Sequence, residues 1–91
     1  MIARLIRVSG KVQGVWFRDW TILEANARGL SGWVRNRLDG SVEVLAMGQP
    51  ESVEKLIERL HEGSPASQVA KVDVRATEVE PLDGFGRRPT V

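Results

Sequence analysis

The chain has 91 residues, 42% of them hydrophobic and 27% charged, and its 13 basic and 12 acidic residues leave a net charge of +1. That describes one small domain, residues 1–91, able to bury a modest core; the balanced charge gives no case for nucleic acid or an anionic membrane as a partner. The sequence has no cysteine and one histidine, which excludes a disulfide framework, a thiolate zinc site and a cysteine nucleophile. No apolar run approaches the roughly 20 residues of a membrane span. Arg4 and Arg7 interrupt what a signal peptide would need as an apolar stretch, so a cytoplasmic location is expected.

Residues 2–9 are short, apolar and β-rich, and predict a strand buried on both faces. A loop over Gly10–Phe17, GKVQGVWF, follows. Residues 18–28 predict a helix ended by Gly29, with Trp20, Leu23, Ala27 and Leu30 as its apolar stripe. Residues 31–37 read as a second strand, Asp39-Gly40 as a hairpin turn, and residues 41–47 as the return strand with Val42, Val44 and Ala46 on one face. A second helix starts at Pro50, carries the stripe Val53, Leu56, Ile57 and Leu60, pairs Glu51 with Lys55, and stops at Gly63 and Pro65. Residues 68–79 alternate, with Ala70, Val72, Val74 and Ala76 expected inside and a bulge near Thr77. The closing GFGRRPTV suits a short fifth strand at the sheet edge.

The order is β-α-β-β-α-β. Two helices of this length cover one face of a four-stranded antiparallel sheet, giving an α+β, two-layer ferredoxin-like sandwich. There the first strand is central, and the loop after it opens beside the first helix's N-terminus. Helix N-termini present unpaired N–H groups and positive dipole. Glycines such as Gly10 and Gly14 can turn further N–H groups inward to make an anion nest, and Arg18 at the rim can add a bidentate fork. Spacing alone leaves two readings open: this nest, or a tight turn whose arginine is merely solvated.

GKVQGVWFR (10–18) resembles the acylphosphatase signature, and GLSGWVRNRLDGSVEV (29–44) its second block, with GSPAS (63–67) and Phe85 also in place. The resemblance covers nearly the whole chain. It implies hydrolysis of the carboxyl–phosphate bond of acyl phosphates without metal, cofactor or covalent intermediate, on the sandwich fold already read. It implies that backbone amides of Gln13, Gly14, Val15, Trp16 and Phe17 bind the phosphoryl group, that Arg18 completes the cradle, and that Asn36 orients the attacking water. Inorganic phosphate or sulfate would then bind as product or analogue. A monomer is expected.

Two positions depart from the family pattern: Arg28 and Arg87 stand where apolar residues are usual. The family alignment also favours Thr21 and Ala25 as inward positions of the first helix, against the stripe read from spacing. His61 reads as a solvated residue near a helix C-terminus, Asp19 as serving its helix N-terminus, and Glu51, Glu54, Glu58 and Glu62 as a solvated face. Trp16 suits either the mouth of the pocket or packing. A non-catalytic anion-binding module of the same fold is the alternative reading. An RNA-binding sandwich ranks below both, because the strand SVEVLAM has no aromatic on which a base could stack.

Overall fold

The computed structural model describes residues 1–91. Its elements are β1 (Ile2–Lys11), α1 (Phe17–Ala27), β2 (Ser31–Asn36), β3 (Val42–Gly48), α2 (Pro50–Glu62), β4 (Gln68–Thr77) and β5 (Phe85–Arg87). The five strands form one sheet in the order β4-β1-β3-β2-β5. β1, β2, β3 and β4 pair antiparallel, and β5 lies parallel to β2, which makes the sheet mixed. The expected ferredoxin-like sandwich is present, with β1 inside the sheet and the fifth edge strand formed.

The core lies between the sheet and the helices. Ile6, Val8, Val34, Val42, Val44 and Ala46 point from the strands toward Phe17, Ala25, Val53, Leu56 and Leu60. Val53, Leu56 and Leu60 of the α2 stripe are fully buried, and Ile57 packs against the same cluster from its margin. Each such side chain stabilises the fold by roughly 1.5–3 kcal/mol through burial, so Leu56→Ala would break the layer contact at about 2–5 kcal/mol. On the polar face Lys55 pairs with Glu58 at 3.5 Å rather than with Glu51.

α1 does not use the stripe that spacing predicts. Phe17, Thr21 and Ala25 are its buried residues, and Leu23 is 69% exposed. A polar residue can face the core there because the Thr21 hydroxyl donates to the Phe17 carbonyl at 2.8 Å. The helix unwinds at Gly29 (φ 66°), so Leu30 reaches the core from the following turn and is not part of the helical face. Arg28 keeps its head out of the core by donating to the Glu24 carbonyl at 3.0 Å and to its carboxylate at 3.3 Å. The same carboxylate takes Arg59 of α2 at 2.5 Å, so Glu24 ties the two helices together and keeps the Arg59 guanidinium firmly charged.

β1 is covered by helices on one face only. Ile6 and Val8 are fully buried there, while on the opposite face Ala3 is buried and Leu5 is half-buried beside Trp33, Leu45 and Met47. That open face carries Glu43, nearly buried, with guanidinium groups of Arg35 at 2.7 Å, Arg37 at 3.2 Å and Arg7 at 3.8 Å. Arg35 also lies over the Trp33 ring.

β4 departs from expectation in two ways. Its register to β1 is continuous up to Thr77, and the irregularity falls instead between Ser9 and Gly10 of β1, opposite Ala70. Ala70 is the extra residue and is exposed. Val72 and Val74 do share the face of Ile6 and Val8 by register. An edge strand runs past the cover of the helices, however, so Val72 is half-buried and Val74 is 39% exposed. Gly10 (φ 122°) belongs to this bulge and not to the loop: a Cβ there would collide with the Gln68 carbonyl.

Candidate active site

The loop between β1 and α1 is short and pinned at intervals. Val12 and Phe17 are fully buried, and Val15 packs on the core. Between these anchors Gly14 (φ 72°) and Trp16 (φ 63°) take left-handed backbone conformations. Alternation of this kind turns successive N–H groups toward one side of the chain. Gly14 does so freely, whereas a non-glycine residue such as Trp16 is strained by roughly 1–2 kcal/mol. The Trp16 carbonyl is already committed, since it accepts the first helical bond from the Trp20 N–H at 3.0 Å. Its side chain is 80% exposed, so packing does not hold it.

Gln13 has a role that the sequence reading did not assign. Its side-chain amide donates to the carbonyls of Arg37 and Ser41, both at 2.8 Å. Those carbonyls belong to the turn between β2 and β3, directly after Asn36. Gln13 therefore fastens the loop to the strand end that carries Asn36. The turn has its own closure: the Ser41 hydroxyl and backbone N–H donate to the Asp39 carboxylate at 2.6 and 2.9 Å. These bonds, helped by Arg7 and Arg37, hold the Asp39 carboxyl below its ordinary value of 3.8.

A cleft of about 260 Å³ opens where these pieces meet, lined among others by Gly14, Trp16, Arg18, Asp19, Asn36 and Arg87. Arg18, Asn36, Gln13, Gly14, Trp16 and Phe17 from the sequence reading all line it, and Val15 does not. Asn36 shares the helix-facing side of β2 with Val34, as strand alternation predicts. Its Oδ1 is buried and no protein group bonds it, the reverse of a residue serving its own turn. None of the ion pairs in the chain uses Arg18. No group of three or more His, Asp or Glu side chains converges in a manner that could hold a metal ion.

Two charged residues in this cleft, Asp19 and Arg87, were not read as part of the site. They form an ion pair across its edge. The signal was present in β5: Arg87 is two residues beyond the buried Phe85 and pairs in register with Val34, so its side chain must lie on the helix-facing side. A larger cleft of about 330 Å³, bordered by Arg7, Glu43 and Arg75, opens between β1 and β4 and contains none of these groups.

A family description for acylphosphatase matches residues 4–86. The chain belongs to the acylphosphatase family. It is 56% identical over 90 residues to an acylphosphatase of Rhizorhabdus wittichii, covering 99% of this chain and 91% of that one. The crystal structure of acylphosphatase from Bacillus subtilis superposes with a TM-score of 0.94 at 39% identity, covering 97% of this chain and 99% of the other. A full-length HypF structure, in its phosphate- and nucleotide-bound form, contains a similar unit: TM-score 0.90 at 28% identity, covering 98% of this chain and 12% of that one. The chain is thus a hydrolase of acyl phosphates. No helix is long and apolar enough to cross a membrane.

Proposed function

We propose that the acylphosphatase takes the phosphoryl group of its substrate into the cleft between the 13–17 loop and β2. Backbone N–H groups of Gln13, Gly14, Trp16 and Phe17 and the guanidinium of Arg18 hold the equatorial oxygens, and Asn36 aims a water at phosphorus. The observation that carries this reading is that Asn36, whose Oδ1 no protein group satisfies, lines the same cleft as Arg18 and the glycine loop.

The chemistry needs little more. An acyl phosphate is a mixed anhydride with a good leaving group, and phosphoryl transfer from it passes through a loose transition state with charge on the equatorial oxygens. Fixed N–H donors and one guanidinium stabilise that charge without reorganisation. A carboxamide oxygen accepts from the attacking water and sets its direction. Water adds to phosphorus, the P–O bond to the acyl group breaks, and the products are a carboxylate and inorganic phosphate. The bound phosphoryl group itself takes the proton from water, so the reading requires no enzyme base, metal, cofactor or second subunit.

Benzoyl phosphate hydrolysis in the presence of EDTA tests the assignment. EDTA should leave the rate unchanged. Arg18→Ala should weaken binding and turnover together, and Asn36→Ala should lower turnover by roughly 3 kcal/mol, the scale of one transition-state donor. Wild-type turnover in the Asn36 variant would remove that residue from the mechanism.

A further inference from the structure

Asp19 poses an electrostatic problem for the site just described. It stands in the first turn of α1 and lines the cleft. A carboxylate there suits the helix dipole, yet it competes with the phosphoryl group for the same positive helix end and repels it. Arg87 supplies the counter-charge. Its guanidinium contacts the Asp19 carboxylate, and neither residue has another ion-pair partner. The contact spans 68 positions in sequence and exists because β5 runs parallel to β2, bringing Arg87 beside the first turn of α1.

The pair is not placed for stability. Its side chains are 45% and 46% exposed, and ion pairs so open to solvent add little to folding. Its effect falls on the cleft, whose charged lining residues are Arg18, Asp19 and Arg87. With Arg87 present the cleft keeps one net positive charge; without it, Asp19 cancels Arg18.

We propose that Arg87 is a charge mask, a positioning residue that neutralises Asp19 so that the phosphoryl group meets an undiminished Arg18. This rests on the cradle reading above. It makes Arg87 a determinant of affinity for the doubly charged phosphoryl group in this chain, acting through Asp19 rather than by touching the substrate.

Titration calorimetry with inorganic phosphate on the wild type, Arg87→Met, Asp19→Asn and the double variant tests it, at low salt and near 1 M salt. Arg87→Met should weaken phosphate on the order of tenfold at low salt, the scale of one unit charge acting on a dianion through largely aqueous dielectric. Asp19→Asn should tighten it by a similar factor, and the double variant should return close to the wild type. Both single-variant effects should shrink near 1 M salt, where the screening length is about 3 Å. KM for benzoyl phosphate should follow the phosphate constants while kcat stays nearly level. A double variant as weak as Arg87→Met would show that Arg87 grips the anion itself and would overturn the mask. An unchanged Arg87→Met variant would overturn it too. Wild-type protein that took up no phosphate would defeat the cradle first, and the mask with it.

Discussion

Gln13→Met removes the fastener between the anion loop and the Asn36 strand while keeping the length of the side chain. The two carbonyls that lose its amide are not stranded: that of Arg37 still accepts from the Gly40 N–H at 3.1 Å, and that of Ser41 from the Arg37 N–H at 2.9 Å. The loss is then two ordinary hydrogen bonds at about 0.5–1.5 kcal/mol each, or about 2 kcal/mol together. For a domain of this size that lowers the melting temperature by roughly 8–16 °C. The effect on turnover should be larger than this suggests, because the loop and Asn36 lose their fixed spacing. A misplacement of about 1 Å can cost 10²-fold in rate. Scanning calorimetry and benzoyl phosphate kinetics at 25 °C, where the variant remains folded, separate the two effects. Gln13→Glu should be worse than Met, since a carboxylate facing two carbonyls can only accept. A Met variant with unchanged melting and kcat, or a Glu variant as good as wild type, would refute the fastener.

Gly32→Ala should abolish the native state or cost more than about 3 kcal/mol in urea denaturation, because its Cβ would collide with the Leu45 carbonyl at a φ of 138°. A cooperative transition at the wild-type midpoint would disprove that packing. Asp39 gives a pH dependence of fixed sign. Its folded-state value is depressed, so its contribution is full above the ordinary 3.8 and is lost as pH falls below that toward the folded-state value. Melting curves of Asp39→Ala should therefore converge on those of the wild type in strong acid and lie below them at neutral pH.

The sandwich was legible because its signals are local and mutually consistent: the α2 stripe, the Asp39-Gly40 turn and the alternation of β3 all point to one sheet with one covered face. The burial of α1 was not, since Thr21 is acceptable in a core only once its hydroxyl has found the Phe17 carbonyl. Periodicity also could not say how far the helices shelter β4, which depends on the width of the sheet. In the site, spacing left Gly14 and Arg18 open between an anion nest and a solvated turn, and only the resemblance to the acylphosphatase signature pointed to them and to Asn36 as site residues. The side-chain bonds of Gln13 and the Asp19–Arg87 pair join residues remote in sequence, and only the parallel docking of β5 and the return of the β2–β3 turn bring them together.

The exposed flank of β4 has a consequence for how copies of this chain behave at high concentration. Ten residues long and hydrogen-bonded on one side only, it offers a template on which another extended chain can add. Lys71, Asp73 and Arg75, spaced every second residue, together with the irregularity opposite Ala70, act as gatekeepers against that growth. Replacing those three charges with threonine leaves the cleft beside the 13–17 loop untouched and should raise the tendency to aggregate through this edge, read as light scattering at high concentration.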